Sequence, residues 1–298
     1  MASAPPHPKA PESDRHSIAW MLLSIVLYAV NVLILRAAAQ HTAAAGGFAG
    51  TAFRGAIGLL LVGLVFGRRG LQAGHLIRHP LVLARGAVGA VALLLFYLTI
   101  PRLGAGRAVI LNLTYPVFGA LMAALWIGEP LARRQLGWML VSLLGLAIFL
   151  GRDALQPGAV GWEAVGIVAA ILAGGAVVLI RALRHSEHPS TVYASQCLWS
   201  LGITMPWWPE ILRELSAPVM SALAAAAVLV GVAQLAMTHA FRSLSVARGS
   251  AIQMLLPLLT TVGGMAFFDE RLEPLEIAAA LLTLWGTYRA VAGGKDEG

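Results

Sequence analysis

The chain has 298 residues, 58% hydrophobic and 12% charged, with a mean hydropathy of +0.78 and a formal net charge of +7. A soluble domain is about a quarter charged, so this composition excludes a water-soluble globule and calls for a lipid bilayer around most helix faces. The arginines stand singly or in pairs between apolar runs with no interleaved aromatics, which argues against nucleic acid as a partner, and a single cysteine, Cys197, excludes an intrachain disulfide.

Residues 1–16 are rich in proline and polar groups and predict a disordered tail. They do not read as a signal peptide, because the first apolar run lacks a small-residue cleavage site and many runs follow. Ten predicted membrane helices come next: 17–36, 47–66, 80–100, 106–127, 132–151, 160–182, 190–208, 219–241, 248–268 and 274–293. A spanning helix needs roughly 20 mostly apolar residues. The only sizeable polar segments outside the tail are loops near 67–79 and 209–218.

The polar residues inside these spans are few. Span 1 carries Tyr28 and Asn31. Span 2 carries Arg54, about eight residues or roughly 12 Å down the helix. An arginine at that depth needs a partner, a polar cavity or helix carbonyls around it. Arg85 lies in the first turns of span 3 and is shallow enough to snorkel to the cytoplasmic surface. Span 4 carries Asn112 and Tyr115 just before Pro116, span 7 Gln196, span 8 Gln234 and His239, and span 9 Gln253 one turn before Pro257. A proline frees a carbonyl one turn earlier, so Pro116 and Pro257 are expected kinks, each with an amide beside it. The structural alternative for the amides is interhelical hydrogen bonding, worth about 1 kcal/mol each. Small residues recur at close-packing spacing at Gly46 and Gly50, Gly63 and Gly67, Gly86 and Ala90, and Gly166, Ala170 and Gly174.

The chain repeats itself. Pro116 in LNLTYPVFG matches Pro257 in IQMLLPLLT at an offset of 141, and the same offset carries Arg107 onto Arg248, Asn112 onto Gln253, Glu129 onto Glu270 and Gly145 onto Gly286. A fixed offset near half the length of an apolar chain points to a duplicated transporter. The predicted units are 17–151 and 160–293. Five helices per unit is an odd number, so the second enters the bilayer inverted, the usual geometric basis of alternating access. With both termini cytoplasmic, fourteen basic residues fall inside and six outside, the direction the positive-inside bias requires. Tryptophans 20, 126, 138, 162, 207, 208 and 285 lie near span ends, as an interfacial belt does.

The segment IPRLGAGRAVILNLTYPVFGALMAALWIGEP, its second copy FRSLSVARGSAIQMLLPLLTTVGGMAFFDERLEP, and AFRGAIGLLLVGLVFGRRG in span 2 resemble the EamA-type carriers of the drug/metabolite transporter superfamily. The resemblance covers nearly all of 17–293. It implies an all-α integral membrane protein of ten helices in two inverted five-helix repeats. A central cavity would be lined by helices 1–4 and 6–9, with helices 5 and 10 more peripheral. The second copy departs where Pro130 becomes Arg271. The family handles amino acids, amines, drugs, nucleotide derivatives and sugars.

The chemistry expected is transport, not catalysis. No H-E-x-x-H, G-x-S-x-G, Walker loop or cysteine cluster is present, so neither metal nor cofactor is expected. All fourteen acidic residues fall in tails, loops or helix ends. A proton-coupled cation exporter usually needs a carboxylate at depth, so a carboxylate-bearing metabolite such as an amino acid is the favoured cargo, in an exporter or exchanger of the cell inner membrane. The expected substrate-binding set is Asn31, Arg54, Asn112, Tyr115, Gln234 and Gln253, with Glu129 and Glu270 as helix-end anchors that pair with arginines or cap helices 5 and 10. Rival readings are an exporter of organic cations or drugs, an intramembrane lipid-processing enzyme, and a non-transporting scaffold or flippase subunit. Partners are a small-molecule substrate and the bilayer. A homodimer is compatible with the sequence.

Overall fold

The computed structural model describes residues 11–41, 46–67, 70–126, 128, 133–150, 161–183, 186–240, 252–253 and 255–292. These are helical and contain no strand among them. In chain order the helices are α1 Pro11–His41, α2 Gly47–Phe66, α3 His75–Arg78, α4 Pro80–Leu103, α5 Ala105–Asn112, α6 Tyr115–Trp126, α7 Arg133–Leu150, α8 Trp162–Leu183, α9 Pro189–Thr204, α10 Trp208–Glu214, α11 Ala217–Ala240, α12 Leu255–Phe268 and α13 Pro274–Ala292. Among the described residues six stretches are long and apolar enough to cross a membrane: His16–His41, Gly47–Phe66, Pro80–Leu103, Ala105–Trp126, Trp162–Ile180 and Ala217–Met237. Large apolar side chains such as Leu64 (75% exposed), Leu125 (81%) and Phe267 (75%) cover the outside. A surface of that kind is stable in lipid and not in water. The protein is an integral membrane protein.

Local chemistry explains most boundaries. Pro80, Pro189 and Pro274 each open a helix, where a missing N–H costs nothing. His188 caps α9 by accepting from the Ser190 amide. Glu276 reaches back to accept from the Glu273 amide at 2.8 Å, one half of a capping box. Gly104 ends α4 with φ +86° and ψ 164°, a conformation open essentially to glycine alone.

Three expectations need correction. Residues 11–16 belong to helix α1, so this stretch is helical rather than disordered. The segments 67–79 and 209–218 are not plain loops but contain α3 and α10. Span 4 is not one helix: it breaks at Leu113 and Thr114, between α5 and α6. Proline at 116 cannot donate to the carbonyl of residue 112. The chain tightens there instead, the Thr114 amide donating to Leu111 O and the Val117 amide to Thr114 O.

The helices pack in pairs: α1 on α11, α4 on α8, α7 on α13, α2 on α9, α5 on α12, with α4 also on α9 and α2 on α11. Glycine sets several approaches. A Cβ on Gly174 would stand 2.6 Å from the Gly119 amide, where α6 meets α8. Between α7 and α13, a Cβ on Gly145 would stand 2.6 Å from the Thr283 amide, and one on Gly286 would stand 2.6 Å from the Ser142 amide. Gly63, by contrast, faces open space.

Candidate substrate cavity

A cavity of about 240 Å³ lies among the helices, walled by residues of α1, α2, α4, α5, α6, α8, α9, α11 and the 252–256 segment. All six expected substrate-binding residues line it: Asn31 from α1, Arg54 from α2, Asn112 from α5, Tyr115 from α6, Gln234 from α11 and Gln253. They were found through separate spans, and the folded chain brings them to one place. Tyr28, Arg85, Tyr97 and Gln196 join them.

Arg54 is held without a carboxylate. Its Nη1 donates to the Tyr97 hydroxyl at 3.1 Å, and its guanidinium lies 5.9 Å from the centre of that ring. Asn31 Nδ2 donates to the same hydroxyl at 3.3 Å. Tyr28 donates its hydroxyl proton to Gln234 Oε1 at 2.5 Å. Gln253 Nε2 lies 3.1 Å from Met237 Sδ, a weak acceptor that a better one could displace. Tyr97 was not anticipated; it stands in the apolar run VALLLFYLTI, and only the packing of α4 against α2 brings its hydroxyl to Arg54.

Arg85 corrects the expectation of a snorkelling side chain. It is 8% exposed. Its Nη2 donates to Gln196 Oε1 at 3.1 Å, and Gln196 Nε2 donates in turn to Gly89 O at 3.1 Å. Its Nε and Nη1 are buried with no hydrogen-bond partner. Among the described residues neither Arg54 nor Arg85 forms an ion pair, and no acid lines the cavity. The walls thus carry two guanidinium charges, several amides and phenols, and an apolar remainder that includes Leu93, Phe96 and Leu256. Such a lining is a poor place for a bare cation and a good one for an anion with an organic body.

Pro116 is the second residue of α6 and Pro257 lies buried in the first turn of α12. Glu129 and Arg248 lie outside the described residues. Glu270 pairs with an arginine, Arg36, as expected of a helix-end anchor, but the helix it caps differs. Its carboxylate accepts from Arg36 Nε at 3.0 Å, from the Ala105 amide at 3.0 Å and from the Gly106 amide at 3.5 Å. It therefore caps α5, not the final helix, and joins α1 to the α4–α5 corner. A second, smaller pocket of about 160 Å³ surrounds it, lined by Arg36, Arg102, Arg107 and Arg271. Arg107 pairs with Glu276, and Arg102 lies 5.1 Å from the centre of the Trp162 ring. Among the described residues no group of histidine, cysteine and acid side chains could hold a metal ion.

The EamA-like transporter family matches the chain over residues 15–151 and again over 160–291. The pseudopaline exporter CntI of Pseudomonas aeruginosa, known from two strains, is 29% identical over 269 residues, 88% of this chain and 90% of that one. An uncharacterised protein of Pseudomonas aeruginosa is 30% identical over 284 residues, 92% of this chain and 93% of its own. A solved crystal structure shares the fold with a TM-score of 0.59 at 20% identity, over 94% of this chain and 98% of the other.

Proposed function

Because the chain belongs to the EamA-like transporter family, we propose that it is a secondary-type carrier that moves a small carboxylate-bearing metabolite, such as an amino acid, across the cell inner membrane by alternating access. The observation that supports this reading is the cavity, with no acid among its described lining residues, that gathers Arg54 with Asn31, Asn112, Tyr115, Gln234 and Gln253. The substrate carboxylate pairs with Arg54 in place of the Tyr97 hydroxyl. An ammonium or hydroxyl group meets the Asn112, Tyr115 and Gln253 side. Direction is export or exchange, a reading to which the name of the exporter relative lends weight.

The architecture proposed is ten spans in two inverted units, 17–151 and 160–293, with both ends cytoplasmic. The packing pattern supports it. Under exchange of the two units α1 becomes α8 and α11 becomes α4, so the α1–α11 pair maps onto the α8–α4 pair. The α7–α13 contact maps onto itself: Gly145 meets Thr283 and Gly286 meets Ser142, and the offset of 141 interchanges these two contacts. That reciprocity is the mark of a local two-fold axis. Pro116 and Pro257 then occupy equivalent kinks, and Glu129 is the sequence counterpart of Glu270 at the offset of 141.

The test is a thermal-shift screen of the purified protein against amino acids, amines, nucleotides and sugar phosphates, repeated with Arg54→Gln. Stabilisation by carboxylate-bearing compounds, weakened about tenfold or more in apparent affinity by Arg54→Gln, is expected. A hit list of quaternary amines alone, or an unchanged response in Arg54→Gln, overturns the reading.

A further inference from the structure

Arg85 is the least satisfied charged group of the cavity wall. A guanidinium presents five N–H donors, yet among the described residues only Nη2 has a hydrogen-bond partner, the neutral Gln196. Nε and Nη1 are sealed from solvent with none. Leaving buried donors of a charged group unpaired carries a large penalty. The surroundings nevertheless hold the group in place. Gly89 leaves the room for it, since a Cβ there would collide with Nη1, and Gln196 is itself fixed by the Gly89 carbonyl. A guanidinium that lines the cavity, held in place and short of acceptors, is suited to receive an acidic group.

The charge balance says what that acceptor is. With Arg54 and Arg85 on one cavity and no acid among its lining, a substrate with one carboxylate leaves one guanidinium uncompensated in a low dielectric. A substrate with two neutralises both. We infer that Arg85 is a second anion-binding residue of the cavity, and that the cargo carries two acidic groups, one for Arg54 and one for Arg85. This rests on the carboxylate-carrier reading above and narrows it to dicarboxylates and amino dicarboxylates.

The experiment measures thermal shifts of the full-length purified protein with matched pairs differing in one acidic group: glutamate against glutamine and succinate against butyrate. Glycerol 3-phosphate serves as a single-phosphate control. The wild type is expected to bind the two-acid member of each pair about tenfold or more tightly. Arg85→Gln should erase that preference by weakening the two-acid member alone, and Arg85→Lys, which keeps the charge but loses the fork, should restore part of it. Without ligand, Arg85→Gln should melt at or above the wild-type temperature, because it removes an unsatisfied buried charge. A structural arginine would instead lower it. Equal binding of both members of each pair, with Arg54→Gln still abolishing it, overturns the second site and leaves the carboxylate reading intact. Stabilisation by glycerol 3-phosphate but by neither two-acid compound overturns the two-group inference. No response to any of these acids overturns both readings.

Discussion

At the scale of single residues, the clearest lesson comes from two glycines whose surroundings differ. Gly104 has φ +86°, and a Cβ on it would stand 2.6 Å from the Glu270 carboxyl group. It is both the bend between α4 and α5 and the space into which Glu270 reaches. Gly137, inside α7, has nothing within 4 Å of a Cβ. Gly104→Ala should therefore destabilise the protein by about 2 kcal/mol through backbone strain and a displaced carboxylate. Gly137→Ala should be neutral or stabilise by up to about 1 kcal/mol, since alanine is the better helix former. Thermal unfolding of the two variants in detergent measures both. A Gly104→Ala protein that melts with the wild type would mean that the Glu270 contact to α5 contributes nothing. At this scale the sequence was legible for depth along a helix and blind to what covers it. Arg54 was readable as deep because it lies well inside its span. Arg85 was misread as reaching water because it lies near the start of α4. Its burial comes from α8 and α9, which pack against α4, and from Gln196, which lies 111 residues away. No count along one helix contains that information.

At the scale of elements, the seam between α7 and α13 gives a test of equivalence. Gly145 and Gly286 each place a backbone amide of the other helix 2.6 Å from a would-be Cβ, and Ser142 Oγ and Thr287 Oγ1 lie 2.7 Å apart across the same seam. An added methyl group must push the helices apart in both cases, at a cost of about 1–3 kcal/mol. Gly145→Ala and Gly286→Ala should lower the melting temperature by similar amounts. If one is tolerated and the other is not, the contact is not reciprocal. The helices themselves were largely legible, because a run of apolar residues bounded by proline and glycine specifies its own ends. The 47–66 prediction coincides with α2, and the predicted start of the last span, 274, is the start of α13. The break after Asn112 was signalled by Pro116, although the irregular turn falls at Leu113 and Thr114 rather than at the proline. Helices α3 and α10 were missed because their sequences are short and mixed, with no apolar period long enough to read.

At the scale of the whole molecule, a duplicated sequence and a reciprocal packing pattern accompany a cavity lined by both halves. The cavity walls come from α1, α2, α4, α5 and α6 of the first half and from α8, α9, α11 and the 252–256 segment of the second. A site shared between halves is where rocking of one half against the other changes access. The Glu270 cluster ties α1 and the α4–α5 corner to the segment that follows α12. The central claim is carriage of an acid-bearing metabolite through this cavity, and the most direct measurement is exchange in proteoliposomes. Vesicles containing the purified protein and loaded with unlabelled glutamate should accumulate external radiolabelled glutamate. The accumulation should fall about tenfold or more in Arg54→Gln at equal reconstitution and should be absent from protein-free vesicles. Uptake of labelled organic cations with none of labelled acids, or uptake of the acid undiminished by Arg54→Gln, would contradict the account.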